Sequence, residues 1–252
     1  MRKTLQICLA VAGAAFFLAV KSSAQSTNDA AANATSNEVA VNTATNPVPR
    51  DAAWLARHEQ FVAQARKGGV NLLFLGDSIT DNWRNRGSFV WSKYYAPRHA
   101  ANFGIGGDRT EHVLWRIEHG ELDGIHPKVI VLMIGTNNTG PKGNTAPEII
   151  QGVQAIVAEL RARLPRSKIL LLAIFPRSTM QDPQRAQVAL VNTVIAKLDD
   201  GKMVRYLDID PNFIQADGTL PRSIMPDLLH PNAEGYQIWA AAMEPTLKHM
   251  LK

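Results

Sequence analysis

Apolar and polar positions follow two patterns along the chain. Short runs that are apolar at successive positions predict β-strands, and longer stretches with an apolar residue every three or four positions predict amphipathic helices. The predicted strands cover residues 70–75, 100–103, 129–134, 169–174 and 203–207. The predicted helices begin with 51–67, which Gly68 ends, and continue with 110–119, 146–164, 183–198 and 233–251.

The order of these elements predicts an α/β fold. Strands and helices alternate along the chain, and strands that are apolar at every position are typical of a parallel sheet covered on both faces. We therefore expect a three-layer α/β/α sandwich. In such a sheet, reactive groups collect in the loops beyond the carboxyl ends of the strands.

The N-terminus has the pattern of a signal peptide. Basic Arg2 and Lys3 precede an apolar run at 7–20, and the small residues at 22–24 suit cleavage before Gln25. We therefore predict a signal peptide at 1–24 and export to the periplasm or the medium. The apolar run is shorter than the roughly 20 residues that a membrane-spanning helix needs, so no stable membrane span is expected.

Composition divides the rest of the chain into two parts. Residues 25–50 are rich in Ala, Asn, Thr and Ser and have no apolar periodicity, so we predict a disordered linker there. Residues 51–252 then form one catalytic domain, because the 252-residue chain has room for a single core of ordinary size.

Charge and cysteine content exclude several functions. The predicted signal peptide removes three positive charges and no negative one, so the net charge of +5 falls to +2, which does not favour nucleic acid as a partner. Cys8 is the only cysteine, and it lies within the signal peptide. The mature chain is thus expected to contain no disulfide, no cysteine nucleophile and no thiolate metal site.

A candidate nucleophile follows the first predicted strand. The run Gly76-Asp77-Ser78-Ile79-Thr80 places Ser78 at a turn into a helix, where its hydroxyl would be exposed and its own N–H available. Asp or Ser at this position is also common as a simple helix cap. The motif alone leaves both interpretations open.

Two further strands end in groups that could stabilise an anion. The second is followed by a glycine-rich turn, 104–107, whose backbone N–H groups would be free at the start of a helix. Its glycines do not have the spacing of a dinucleotide-binding loop. The third strand ends in Gly135-Thr136-Asn137-Asn138, where an amide could donate to an oxyanion, although Asn beside Gly is also a common turn.

An acid and a base occur together near the C-terminus. Asp227 and His230 are three residues apart, so the carboxylate can accept from one ring nitrogen while the other faces a nucleophile. Arg109 and Arg116 could contact an anionic substrate, but we predict that they belong to a solvated helix face. The other six histidines are interpreted as surface or packing residues, namely His58, His99, His112, His119, His126 and His249.

These four segments resemble the four sequence blocks of the SGNH (GDSL-type) hydrolase family, in family order and over about 71–249. By motif, the resemblance implies that Ser78 is the nucleophile, with Asp227 and His230 completing a catalytic triad. It also implies an oxyanion hole formed by the N–H groups of Ser78 and Gly107 and the side chain of Asn137. The fold implied is a mostly parallel, flavodoxin-like five-stranded sheet.

Within that family, the segments 102–108, 112–116 and 135–138 are especially similar to platelet-activating-factor acetylhydrolase catalytic-subunit-like esterases. The signal peptide departs from those cytosolic proteins. The resemblance implies hydrolysis of small, short-chain, acetyl-type esters of a carbohydrate or lipid, by a monomer or homodimer with no cofactor or metal. Transfer of the acyl group to a sugar, lysophospholipase or thioesterase activity, and a non-catalytic carbohydrate-binding role remain alternatives.

Overall fold

The computed structural model describes residues 41–252. Its sheet has five strands, all parallel, in the order β2-β1-β3-β4-β5. The strands are β1 (Leu72–Gly76), β2 (Ala100–Gly104), β3 (Val129–Met133), β4 (Lys168–Leu172) and β5 (Val204–Leu207). This order is that of flavodoxin-like folds, so the predicted parallel α/β architecture is confirmed.

Within residues 41–252, seven α-helices surround the sheet. They are α1 (Ala52–Lys67), α2 (Ser78–Asp81), α3 (Ser88–Tyr94), α4 (Thr110–Glu118), α5 (Ala146–Arg163), α6 (Pro183–Ile195) and α7 (Ala233–Leu251). The five longer helices agree with the predicted ones to within a few residues. The two short helices α2 and α3 have too few turns to show a periodic pattern, so the sequence does not predict their bounds.

The core has two halves, one on each face of the sheet. Along β1, Leu73 and Leu75 pack into the cluster that includes the buried faces of α1, α4, α5 and α6. Leu72 and Phe74 point to the opposite face and pack into the cluster beneath α3 and α7. Successive strand residues face opposite sides of the sheet. A strand that is covered on both faces, such as β1, is therefore apolar at successive positions.

The last ten residues of the predicted linker contradict the expectation of disorder. We call residues 41–50 the leading segment. Ala44 is buried, and its carbonyl accepts a hydrogen bond from Thr110 Oγ1 at 2.8 Å. Asn144 Nδ2 donates to Thr43 Oγ1 at 2.7 Å, and Asn42 contacts α5. Hydrogen bonds of polar side chains, rather than an apolar face, attach this segment to the domain. Its sequence therefore shows no apolar periodicity.

The predicted signal peptide and linker residues 25–40 lie outside the described residues. Among the helices of residues 41–252, none combines the length and the apolar character that crossing a membrane requires.

Candidate active site

The residues predicted to form a triad lie together at the carboxyl edge of the sheet. Ser78 follows β1, and Asp227 and His230 lie in the loop before α7. Ser78 Oγ is 2.9 Å from His230 Nε2, and His230 Nδ1 is 2.7 Å from Asp227 Oδ2. These contacts form a continuous hydrogen-bonded chain from the hydroxyl to the carboxylate, although the three residues come from distant parts of the sequence.

Ser78 is held by the residues on either side of it. The buried carboxylate of Asp77 accepts a hydrogen bond from the Ile79 N–H at 2.9 Å and so caps α2. Burial raises the pKa of Asp77 to about 7, against the opposing effect of that hydrogen bond. The Tyr236 hydroxyl on α7 donates to the Ile79 carbonyl at 2.5 Å. These contacts fix α2 while leaving Ser78 itself partly exposed.

The end of β2 must pass very close to α2. A Cβ atom at Gly104 would lie 2.3 Å from the backbone nitrogen of Asp81, a separation that packing does not allow. Glycine at this position therefore lets the strand end and α2 make direct backbone contact. Asn102 strengthens the contact by donating from Nδ2 to the Thr80 carbonyl at 2.9 Å.

Asp227 both shapes its loop and orients His230. Its Oδ1 accepts from the backbone N–H groups of His230 at 2.7 Å and of Leu229 at 3.1 Å, while Oδ2 accepts from the ring. Partial burial acts to raise its pKa, but these hydrogen bonds outweigh it and lower the pKa to about 2. The group is therefore an anion at neutral pH.

The loop also contains a residue in an unusual conformation. Leu228 has φ +56, in the left-handed region that costs a non-glycine residue about 1 kcal/mol or more. Its N–H donates to the Met225 carbonyl at 2.9 Å, and its carbonyl accepts from the Ser178 N–H at 2.8 Å. These bonds hold the turn that brings the Asp227 carboxylate to Nδ1 of the His230 imidazole.

The glycine-rich turn after β2 lies beside the serine. A Cβ atom at Gly106 would be 3.8 Å from Ser78 Cβ, and both Gly106 and Gly107 are exposed. Gly107 has φ +79, which favours glycine. Within residues 41–252 its N–H has no acceptor, so it is free to donate to a bound substrate.

The two neighbouring amides after β3 have different surroundings. Asn137 is partly exposed and donates from Nδ2 to the Asp108 carbonyl at 2.9 Å, which leaves its second amide hydrogen without an acceptor among residues 41–252. Asn138 is fully buried, accepts from the Thr110 N–H at 3.0 Å and donates to Glu111 and Asn144. Asn138 thus supports the start of α4, and Asn137 is the amide that can reach a substrate.

The prediction that Arg116 lies on a solvated face is wrong. Its side chain is fully buried, with Nε 3.0 Å from Asp108 Oδ2 and Nη1 paired with Glu121. It also donates to the carbonyls of Phe103 at 2.9 Å and Gly76 at 3.3 Å, at the ends of β2 and β1. Burial raises the pKa of Glu121 to about 7, although the charge of Arg116 acts to lower it.

A sequence signal for this burial was present. Arg116 follows Val113 by three positions and therefore shares the apolar face of α4. By contrast, Arg109 is partly exposed, with its guanidinium 3.8 Å from the Glu111 carboxylate. Asp108 was not singled out from sequence, yet it also accepts from Trp54 Nε1 at 2.7 Å and connects the glycine-rich turn to the core.

The six remaining histidines occupy positions of the expected kind. His58 is buried against aromatic rings and His112 is half-buried at the start of α4, whereas the other four are exposed. In the part of the chain that the structure describes, no three His, Cys, Asp or Glu side chains converge as a metal site would require.

Comparison with known proteins identifies the family that this chain resembles. The profile of the GDSL-like lipase/acylhydrolase family matches residues 74–238. Platelet-activating factor acetylhydrolase IB subunit alpha1 of Homo sapiens is 36% identical over 216 residues, covering 83% of this chain and 91% of that protein. Subunit alpha2 of Rattus norvegicus is 39% identical over 202 residues, covering 80% and 86%.

A solved structure shows the same fold. The crystal structure of a GDSL-like lipase from Bacteroides thetaiotaomicron aligns with a TM-score of 0.62 at 17% identity, covering 77% of this chain and 98% of that one. The family match spans most of the domain and includes Ser78 and His230. The chain therefore belongs to the GDSL-like lipase/acylhydrolase family and is a carboxylic ester hydrolase.

Proposed function

We propose that the protein is an exported serine esterase that removes short, acetyl-type acyl groups from a carbohydrate or lipid ester. The observation that carries this proposal is the hydrogen-bonded chain from Ser78 Oγ through His230 to Asp227. A serine hydroxyl is a weak nucleophile unless a base accepts its proton, and this arrangement supplies both the base and the group that orients it.

The reaction proceeds through an acyl-enzyme. His230 Nε2 accepts the Ser78 proton as Oγ attacks the ester carbonyl, and it returns that proton to the departing alcohol. A water molecule then attacks the acyl-serine as His230 accepts its proton. The proton passes to Ser78 Oγ as the bond from Oγ to the acyl carbon breaks, and the carboxylic acid leaves. Asp227 accepts from Nδ1–H throughout, which keeps Nε2 unprotonated and facing Ser78 before each attack.

Three donors are available for the negative charge that develops on the carbonyl oxygen. They are the N–H groups of Ser78 and Gly107 and the remaining amide hydrogen of Asn137. In such a site each donor is worth about 3 kcal/mol of transition-state stabilisation. The turn beside Ser78 and the Asn137 side chain are both fixed by Asp108, so the donors are in place before the substrate binds.

The acyl group is proposed from the relatives. The two curated relatives described above are named acetylhydrolases, and their identity of 36–39% extends over most of this domain. Transfer to a sugar acceptor would use the same acyl-enzyme, with the sugar hydroxyl in place of water.

A chain-length series tests the proposed substrate class. p-Nitrophenyl esters from acetate to palmitate are assayed with the purified protein, and Ser78→Ala serves as the blank. We expect the highest kcat/KM at acetate to butyrate. A maximum at the long-chain esters would contradict the acetyl-type preference and favour lysophospholipase activity. Product analysis with acceptor sugars present separates hydrolysis from acyl transfer.

Export is a separate part of the proposal and rests on the sequence pattern of residues 1–24. It is tested by expressing the full-length chain in a bacterial host and measuring the intact mass of the soluble product. We expect a chain that begins at Gln25 and is found outside the cytoplasm. A cytoplasmic product that retains residues 1–24 would contradict export and leave the catalytic proposal unaffected.

A further inference from the structure

One arginine outside the predicted catalytic blocks reaches the proposed oxyanion hole. Arg50, the last residue of the leading segment, donates from Nη1 to the Gly106 carbonyl at 2.7 Å and to Asp108 Oδ1 at 3.2 Å. Its guanidinium also covers Gly107, where a Cβ atom would lie 3.2 Å from Nη1. The Arg50 side chain therefore contacts Gly106 and Gly107 of the glycine-rich turn and Asp108, which follows them.

The bond to Gly106 fixes the orientation of a particular peptide group. The Gly106 carbonyl and the Gly107 N–H belong to the same planar trans peptide, so they point in opposite directions. Since the carbonyl faces Arg50, the N–H must face away from it, in a turn that lies beside Ser78. This N–H is the donor assigned to the oxyanion under the proposed function.

The hydrogen bond within the turn, from the Asp108 N–H to the Ile105 carbonyl at 3.2 Å, does not fix that peptide, because turns of types I and II share this bond and differ by rotation of the central peptide. Gly106 and Gly107 are both exposed, and glycine readily adopts either sign of φ, so the peptide between them can rotate at little cost. Rotation by half a turn would point the carbonyl oxygen where the N–H now points. A repulsive dipole would then replace an attractive one at the position where negative charge develops.

Arg50 would also strengthen the donor. A hydrogen bond from a cation to the carbonyl oxygen is charge-assisted, and it draws electron density along the amide toward oxygen. The N–H of the same amide becomes more positive, as in the mutual polarisation of hydrogen-bond chains. The effect is transmitted through one peptide group and does not require Arg50 to touch the substrate.

Arg50 is itself anchored from two directions. Its partner carboxylate, Asp108, is buried and held by Trp54 and Arg116. The preceding backbone is attached to the domain through Ala44 and Thr43. The Arg50 side chain is only 30% exposed, so these contacts hold its guanidinium against the turn in a defined position.

We propose that Arg50 is a positioning residue that orients and polarises the Gly106–Gly107 peptide, so that the leading segment forms part of the oxyanion hole. This inference rests on the proposed function, because it assigns the Gly107 N–H to the oxyanion. The test must therefore establish Ser78-dependent hydrolysis first and then ask what Arg50 contributes to it.

The experiment compares wild type with Arg50→Ala and Arg50→Lys, using p-nitrophenyl acetate. This ester is neutral, so a role for Arg50 in binding an anionic substrate would not affect the result. We expect Arg50→Ala to lower kcat by about 10- to 100-fold, part of the loss caused by removing a whole oxyanion donor, with KM within about twofold of wild type. Arg50→Lys keeps the positive charge but lacks the planar, forked donors of the guanidinium. Its kcat should therefore lie between those of wild type and Arg50→Ala.

A trifluoromethyl ketone provides the readout that a merely structural role would not change. Its adduct with Ser78 carries an oxyanion, so its affinity should fall by the same factor as kcat, whereas KM for the neutral ester should not change. Arg163→Ala is the matched control. Arg163 is also a partly exposed, ion-paired arginine, but it pairs with Glu159 on α5, and its variant should keep wild-type kcat.

The possible failures are distinguishable. If wild type shows no hydrolysis that Ser78→Ala abolishes, the proposed function is wrong. If wild type is active and Arg50→Ala keeps its kcat within twofold, or loses kcat without losing affinity for the ketone, the inference about Arg50 is wrong and the esterase proposal stands. Should Arg50→Ala fail to fold, the Lys variant is judged by the same paired measurement.

Discussion

Replacement of Asp227 by Asn tests whether this carboxylate sets the tautomer of His230. The Asn side chain is nearly the same shape, and its Oδ1 can still accept from the N–H groups of Leu229 and His230, which Asp227 bonds at 3.1 and 2.7 Å. Its Nδ2 would then face His230 Nδ1 at the 2.7 Å that the carboxylate now occupies. Because Nδ2 is a donor, Nδ1 must become an acceptor.

The consequence appears at the other side of the ring. With Nδ1 unprotonated, the proton of the neutral imidazole lies on Nε2, which faces Ser78 Oγ at 2.9 Å and can no longer accept its proton. If the amide instead flips, its NH2 faces two backbone N–H groups, and the turn loses both bonds. The first arrangement removes the base, and the second keeps the productive tautomer only at the cost of both backbone bonds, so the first should predominate.

The size of the loss follows from burial. Where the carboxylate of such a triad is fully buried, the corresponding change lowers kcat by about 10⁴. The Asp227 side chain is 47% exposed, so water can partly replace it and reorient the ring. We therefore expect kcat for p-nitrophenyl acetate to fall by about 10³, which corresponds to roughly 4 kcal/mol, with KM little changed.

Asp227→Ala is the matched comparison. It removes the carboxylate without presenting a donor to Nδ1, so its loss of kcat should be no larger than that of the Asn variant. Steady-state kinetics and thermal unfolding of both variants are measured together, so that loss of fold is separated from loss of chemistry. A correctly folded Asp227→Asn variant with kcat within tenfold of wild type would refute the reasoning.

Three further changes have defined outcomes. Asn137→Ala should lower kcat about 10²-fold with little change in KM, because the amide acts on the oxyanion; an increase confined to KM would instead indicate ground-state binding. Arg116→Ala leaves buried Glu121 without its cation and Asp108 with Arg50 alone, and should lower the free energy of unfolding, measured in urea, by about 3–5 kcal/mol; a loss below 1 kcal/mol would contradict its structural role. Burial, aided by nearby arginines, lowers the pKa of His112 from 6.5 to about 4. The stability that neutral His112 contributes is therefore complete above pH 6.5 and is lost as the pH falls toward 4. In His112→Gln the urea midpoint should depend less on pH between 7 and 4.5, whereas an unchanged pH dependence would show that other groups cause the loss.

The sheet and the longer helices were predictable because each depends on local periodicity. A strand covered on both faces is apolar at every position, and Leu72 to Leu75 show that pattern directly. The order in which motifs follow the strands also indicated which residues meet at the carboxyl edge. Ser78 and His230 are 152 positions apart, yet parallel strands and the loop before α7 place them in contact.

What could not be predicted depends on contacts that only the folded chain makes. Arg116 shares the apolar face of α4, but no sequence pattern shows that Asp108 and Glu121 pair with it there. The leading segment looked like a linker because side-chain hydrogen bonds, rather than an apolar face, attach it to the domain. The contact of Arg50 with Gly106 depends on both features and was therefore not visible from sequence.

The most direct test of the nucleophile is the site at which a fluorophosphonate reacts. Such a reagent modifies a serine only when a neighbouring base activates it, and mass spectrometry of the digested protein locates the adduct. We expect a single adduct on the peptide that contains Ser78, strongly reduced in His230→Ala and absent from Ser78→Ala. An adduct on another residue, or undiminished labelling of Ser78→Ala, would contradict the assignment of Ser78 as the serine that His230 and Asp227 activate.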